Sequence, residues 1–198
     1  MAPQRLIFIR HGETDWNAEG RLQGRQDIAL NAKGEYQAAN AGRKLLSLLG
    51  PQRVADAALP YISSPLLRAR RTMEIARATI GLDPAAYALD EGLVELSFGA
   101  WEGKTWPQVR QIELQAALAR EADKWNTLPP EGESYAMLTE RMRPWLEAHA
   151  DDCVVVSHGG VARALMVILA GLAPERAAVT DIWQGRLLVF ENGRFIWI

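Results

Sequence analysis

The sequence predicts an α/β protein, a three-layer α/β/α sandwich around a mostly parallel central sheet. Three observations carry this. Short apolar runs stop at glycine-containing segments, as strands buried on both faces do. Segments with helical spacing alternate with those runs, which implies crossovers covering both faces of the sheet. The chain then closes on a hairpin signal. With 198 residues, 48% of them hydrophobic, the chain has the material of one domain spanning residues 1–198, within the usual range of about 100–200. Disordered and fibrous classes are excluded.

Leu6-Ile7-Phe8-Ile9 is the first buried strand. Asn31 caps a helix in which Tyr36, Ala39, Gly42, Leu45, Leu46 and Leu49 keep helical spacing until Gly50-Pro51 stops it. Tyr61-Ile62 is a weaker strand signal. Ser64-Pro65 reads as a cap followed by proline at the first helical position, opening a helix to about residue 78. Residues 103–130 read as a helical excursion without an assigned place, and Leu128-Pro129-Pro130-Glu131-Gly132 as a loop within the domain. Ser134 begins another helix with Met137, Leu138, Met142, Trp145 and Leu146 on one side, which Pro144 is expected to kink or split. Cys153-Val154-Val155-Val156 is the second buried strand, and residues 161–169 a last apolar helix. Leu187-Leu188-Val189-Phe190, Asn192-Gly193 and Phe195-Ile196-Trp197-Ile198 make a hairpin.

Composition narrows the function classes. The 22 Lys+Arg against 24 Asp+Glu, net charge −2, speak against nucleic-acid binding by bulk positive charge. The single cysteine, Cys153, excludes an internal disulfide framework and a Cys-rich zinc site, and its apolar strand makes it a buried, inert thiol. The apolar run before Arg10 is too short for a signal-peptide core. The most apolar stretch, residues 164–174, falls short of the roughly 18 residues that span a bilayer. The expectation is a soluble cytoplasmic protein without nucleic-acid or membrane partners. The apolar end, residues 195–198, is a candidate pairing edge for a homodimer.

Two of the three histidines stand directly after predicted strands and directly before glycine: Arg10-His11-Gly12-Glu13-Thr14 and Ser157-His158-Gly159-Gly160. Strand carboxyl ends are where open α/β sheets place ligands, and the helix after His158 offers free N–H groups to an anion. His149 has no such setting and reads as a surface residue at a helix end.

The string Arg10-His11-Gly12-Glu13-Thr14 resembles the signature of the histidine phosphatase, or phosphoglycerate mutase-like, superfamily. A given five-residue string arises by chance about once per few million positions, and this one does not stand alone. Asp15-Trp16-Asn17 extends it, and Gly20-Arg21-Leu22-Gln23-Gly24, Asp27, Leu30 and Gly34 resemble its continuation in phosphatase members. Ser64-Pro65-Leu66-Leu67-Arg68-Ala69 through Thr72 resembles the segment with a second arginine. Glu95 with Phe98-Gly99-Ala100-Trp101-Glu102-Gly103 resembles the segment with the acid, and Ser157-His158-Gly159-Gly160 the closing histidine. One departure is Glu131, where many relatives have a second glycine.

The resemblance implies a phosphoglycerate mutase-like fold and a phosphomonoesterase. His11 is implied to attack phosphorus, becoming phosphohistidine. Arg10, Arg68 and His158 are implied to clamp the phosphate and Asn17 to add a donor, with further substrate contacts from Gln23, Gly24 and Gly159. Glu95 is implied to protonate the leaving oxygen and then activate water, its carboxyl kept protonated by burial or by the phosphate's charge. Arginine suits a dianionic phosphate because it is permanently charged and two-pronged. His11 and His158 are alternatively metal ligands, but two histidines flanked by arginines make a poor cation site, so neither metal nor cofactor is expected.

Bland readings stand beside these. Two of Arg68, Arg70 and Arg71 should be solvated or paired; Glu91, Glu95 and Glu102 all compete to face water; Trp16, Trp101 and Trp106 serve equally as packing or pocket walls. The main alternative within the family is a cofactor-dependent phosphoglycerate mutase, and outside it a non-catalytic phospho-ligand binding module. Residues 103–133 look too short for a mutase's closing cover and lack its paired arginines, which favours hydrolysis of a small phosphate ester.

Overall fold

The computed structural model describes residues 3–55 and 59–198. Within them the strands are β1 (Arg5–Arg10), β2 (Tyr61–Ser63), β3 (Ala88–Leu89), β4 (Cys153–Ser157), β5 (Leu187–Glu191) and β6 (Arg194–Trp197). They form one sheet in the order β3-β2-β4-β1-β5-β6. β1 to β4 pair in parallel, with Arg10 opposite Ser157, while β5 and β6 run antiparallel as the closing hairpin. Asn192 and Gly193 both have positive φ, 51° and 71°, as a two-residue hairpin turn demands.

Side chains of the central strands alternate between two apolar layers. Leu6, Phe8, Val155 and Leu188 face one; Ile7, Ile9, Val156 and Val189 face the other. The helices are α1 (Asp15–Ala18), α2 (Ala32–Leu49), α3 (Pro51–Ala55), α4 (Leu67–Thr79), α5 (Trp106–Ile112), α6 (Leu114–Ala122), α7 (Tyr135–Ala148), α8 (Gly159–Ala170) and α9 (Pro174–Val179). α7, α8 and α9 cover the first layer, α2 and α4 the second. The expected α/β/α sandwich is therefore formed. No helix among the described residues is long and apolar enough to cross a membrane.

Several local expectations are corrected. The buried stripe of α2 runs through Gly34, Ala38, Ala41, Gly42, Leu45 and Leu49, while Tyr36 is 68% exposed and lies under the Arg43 guanidinium. α4 starts at Leu67, not at Pro65, and Ser64 does not cap it: the Leu67 N–H donates to Asp27 Oδ1 (2.6 Å), a carboxylate supplied by a distant loop. α7 runs unbroken through Pro144. Its buried stripe of Tyr135, Leu138, Thr139, Met142, Trp145 and Leu146 offsets the lost hydrogen bond, and Met137 is exposed. β3 and α9 are too short to show a periodicity. The segment after Gly103 becomes α5 and α6, which pack through Val109 and Ala117 on the fully buried Trp101.

The departure at Glu131 has a conformational consequence. Gly132 N–H donates to Pro129 O (2.9 Å), and Glu131, at the third position of this turn, has φ 59°. That is where type II turns take glycine. The left-handed region costs a side chain about 1–2 kcal/mol, more than the roughly 0.5–1 kcal/mol of backbone entropy that glycine loses. Glu131 is exposed, so Glu131→Gly should raise the thermal midpoint by about 1–3 °C. A fall on calorimetry would contradict this account of the loop.

Candidate active site

Parallel pairing brings three strand ends together. His11 N–H donates to Ser157 O (2.9 Å), and Ser64 N–H to Val156 O (3.0 Å). The turns after β1, β2 and β4 therefore lie side by side, and the His11 and His158 ring centroids are 5.1 Å apart. Gly12 passes so close to the backbone of Gly34 that no Cβ fits, and its N–H donates to Thr72 Oγ1 (3.0 Å).

His11 Nδ1 lies 2.7 Å from Gly12 O. A carbonyl only accepts, so Nδ1 carries the proton and Nε2 keeps its lone pair. Burial, then Arg68 and Arg10, push the His11 pKa well below its ordinary value, and the Gly12 carbonyl opposes this only in part. His158 is fully buried with Nε2 2.8 Å from Ser64 Oγ. Burial, then Arg68, His11 and Arg10, lower its pKa as well.

Above His11 lies a cavity of about 150 Å³ whose cations are Arg10, Arg68, Arg163 and Arg21. The first three are tethered to main-chain carbonyls: Arg10 to Ile182 (2.6 Å), Arg68 to Gln26 (2.6 Å) and Gly24 (2.7 Å), Arg163 to Thr180 (2.9 Å). Their Nε atoms are buried without a partner among the described residues, as is His158 Nδ1. Burial first, then Arg163, brings the Arg10 pKa down to about 10, with Glu95 acting in the opposite sense. The arrangement is a set of tethered guanidinium donors, Arg10, Arg68 and Arg163, with no direct ion pair among the described residues, around an unprotonated imidazole nitrogen, suited to an oxyanion.

Glu95 joins the same wall. Its Oε1 accepts from Leu96 N–H (2.9 Å) and its Oε2 from Gly160 N–H (3.0 Å), in the first turn of α8. A Cβ on residue 160 would collide with that carboxylate, which is the physical reason for glycine there. The segment before Glu95 is held by Arg141, which donates to Gly92 O (2.6 Å) and Val94 O (3.0 Å) and pairs with the buried Glu133. Glu102 accepts from Arg25 N–H (3.0 Å), Phe98 N–H (3.1 Å) and Gln26 Nε2 (2.9 Å), so its carboxylate straps two loops together. Glu91 is exposed. Of the three carboxylates, Glu95 is the one that reaches the cavity.

A family model described as histidine phosphatase superfamily (branch 1) matches residues 6–194. The chain belongs to the histidine phosphatase superfamily. It is 35% identical over 173 residues to a protein of Erwinia tasmaniensis named "Probable phosphoglycerate mutase GpmB", covering 84% of this chain and 75% of that one. Its fold is similar to the alpha-ribazole phosphatase of Shigella flexneri, with TM-score 0.77 and 27% identity over 93% of this chain and 89% of that one. TTHB049 of Thermus thermophilus follows at TM-score 0.70 and 34% identity, over 93% and 91% of the two chains. The protein is thus an enzyme of a superfamily whose phosphatases act on small phosphate esters.

Against the residues this superfamily implies, the cavity wall contains Arg10, His11, Arg68 and Glu95 together with Asn17, Gln23, Gly24 and Gly159. Asn17 is oriented by a capping box with Thr14 and by Gln184, whose Nε2 donates to Asn17 Oδ1 (3.1 Å). His158 lies beneath the wall, in contact with His11. Arg71 pairs with Glu35 and Glu74, and Arg70 is exposed, as two of the three helix arginines were expected to be. His149 ends α7 half-buried, stacked on Trp145, and burial pushes the Cys153 thiol up to about 12. Sequence reasoning missed Arg163, Arg141, Gln184 and the Ser64 hydroxyl. Only Arg163 carried a signal: it stands four residues after Gly159, on the same face of the helix.

The buried neutral histidines make stability pH-dependent. Unfolded, each binds a proton near pH 6.5; folded, each stays neutral to much lower pH. The unfolded state binds more protons below about 6.5, so stability is fully present above that pH and falls as pH drops towards the folded values. Each histidine adds up to about 1.4 kcal/mol per pH unit to the slope. In urea titrations between pH 6.5 and 5, His11→Asn should reduce the slope by about that amount; an unaltered slope would contradict a neutral, buried His11.

Proposed function

We propose that the protein is a metal-independent phosphomonoester hydrolase of small phosphorylated metabolites, acting through Nε2 of His11. One observation carries this reading: the Gly12 carbonyl holds the His11 proton on Nδ1, so the lone pair of Nε2 stands free among three carbonyl-tethered guanidiniums. Nε2 attacks phosphorus, the bond from phosphorus to the leaving oxygen breaks, and that oxygen takes a proton from the Glu95 carboxyl. Water then attacks the phosphohistidine, gives its proton to Glu95, and the Nε2–P bond breaks to release phosphate. Arg10, Arg68 and Arg163 neutralise the charge spreading over the phosphoryl oxygens. Asn17 presents its side-chain N–H₂ to them, since its oxygen is occupied. The same positive crowding disfavours a bound divalent cation, which supports metal independence.

Hydrolysis is favoured over phosphoryl return by the fate of residues 103–133. They are used up in α5 and α6, which pack on Trp101, and in the loop that follows, leaving little chain for a cover that would keep water from phosphohistidine. The similarity to alpha-ribazole phosphatase points the same way. His11→Ala should fold and lose turnover of aryl and alkyl phosphates alike, and wild-type activity in that variant would end the proposal. With 3-phosphoglycerate and a bisphosphoglycerate primer, phosphate release should outpace formation of 2-phosphoglycerate; the reverse would identify a mutase using the same nucleophile.

The Glu95 role is tested by leaving-group dependence. Glu95→Gln should slow alkyl phosphates by about 10²–10⁴-fold and p-nitrophenyl phosphate much less, because nitrophenolate needs no proton. Equal slowing in steady-state assays would contradict proton donation by Glu95.

A further inference from the structure

A second cavity, of about 490 Å³, adjoins the catalytic one and shares Leu22, Phe98 and Tyr135 with it. Its remaining wall includes Trp106, Arg120 and Lys124, from α5, α6 and the turn after α6. The catalytic cavity, at about 150 Å³, holds a phosphoryl group and little more, so the alcohol half of an ester reaching His11 extends towards this neighbour.

The chemistry of that wall is specific. Leu22, Phe98 and Trp106 make it apolar, and Trp106 is fixed edge-on against buried Trp101 at 5.7 Å. Arg120 is only 3% exposed. Its Nη1 donates to Thr127 O (3.1 Å), its Nη2 is buried without a partner among the described residues, and its guanidinium carbon lies 5.5 Å from the ring centroids of both Phe98 and Tyr135. Arg163 approaches the same Tyr135 ring at 5.8 Å, linking this charge to the catalytic cavity. Lys124 is half-buried. Burial first, then Arg163 and Arg120, hold its pKa down to about 8, against a smaller pull from Asp181. Glu121, a carboxylate in the same wall, already accepts from Trp106 Nε1 (3.0 Å) and Arg110 (2.6 Å). With Glu121 engaged by Trp106 and Arg110 and Asp181 exerting the smaller pull on Lys124, these partly dehydrated cations are incompletely neutralised, which is costly unless an anion arrives.

We infer that this cavity is the leaving-group subsite, built for a phosphate monoester whose alcohol half is a flat apolar body bearing a second anion, a carboxylate or a phosphate. The body lies among Leu22, Phe98 and Trp106, and the anion meets Arg120 and Lys124. The inference rests on the hydrolase reading above and sharpens it, because glycerates and simple sugar phosphates leave the apolar wall unfilled.

The test uses phenyl phosphate, 2-naphthyl phosphate and 6-phosphonooxy-2-naphthoate as substrates, and the alcohols 2-naphthol and 6-hydroxy-2-naphthoate in equilibrium binding. kcat/KM should rise along that series of esters by at least about tenfold per step, and 6-hydroxy-2-naphthoate should bind more tightly than 2-naphthol. Arg120 is too buried to be the first variant; Lys124 and Trp106 are not. Lys124→Met should reduce the preference for the carboxylated over the plain naphthyl ester by at least about tenfold, and Trp106→Ala the preference for naphthyl over phenyl. Equal kcat/KM for all three esters with no preference between the alcohols overturns the subsite and leaves the hydrolase reading standing. Binding of 6-hydroxy-2-naphthoate that Lys124→Met weakens, without turnover of any ester, supports the anion-binding cavity and overturns hydrolysis.

Discussion

Carbonyl tethering of buried guanidinium groups is the interaction on which the site depends. Arg10, Arg68, Arg163 and Arg120 each give N–H groups to a main-chain oxygen, of Ile182, Gln26 and Gly24, Thr180 and Thr127 respectively. A carbonyl fixes the guanidinium and satisfies part of its hydrogen bonding without cancelling its charge. A carboxylate would have done both. The fold bears the desolvation cost, visible in Arg10 held down to about 10, and in return keeps a positive field ready for an oxyanion. That same field, added to burial, keeps His11 and His158 neutral, so the proposed nucleophile and its electrostatic support have one origin.

The sheet makes this crowding possible. β1 and β4 are central, parallel and apolar on both faces, so the turns after them are anchored in the close-packed core. Arg10 and His11 leave one strand as His158 leaves its neighbour, and Ser64 from β2 meets the His158 ring. α8 then begins under Glu95, where the absence of a side chain at Gly160 lets backbone N–H and carboxylate meet. Arg141 and Glu133 hold the far side of the Glu95 segment, a support outside the catalytic motifs.

Much of this was legible in the sequence, and the remainder was hidden for physical reasons. Strands with an apolar residue at every position and a hairpin with Asn-Gly announce themselves; β3, two residues long, cannot. At Ser64-Pro65 a sound capping rule misled, because the hydroxyl is needed by His158 and Asp27 arrives from another loop to cap α4. Pro144 does not split α7, because a six-residue buried stripe outweighs one lost hydrogen bond. The motifs pointed to Arg10, His11, Arg68 and Glu95, which line one cavity, and to His158, which lies against His11. Arg141 and Gln184 act through contacts made only in the folded chain, and Lys124 owes its perturbation first to burial and then to Arg163, which a distant segment brings near, with Arg120 of the preceding helix adding to it.

The central claim is that Nε2 of His11, freed by the Gly12 carbonyl, becomes covalently phosphorylated. Rapid quench into alkali during turnover of a ³²P-labelled ester, followed by peptide mapping, tests it most directly. The account predicts label on the His11 peptide as Nε2-phosphohistidine, stable in alkali, lost in acid and absent from His11→Ala. Label on another residue, or full turnover with no labelled protein at any quench time, would contradict it.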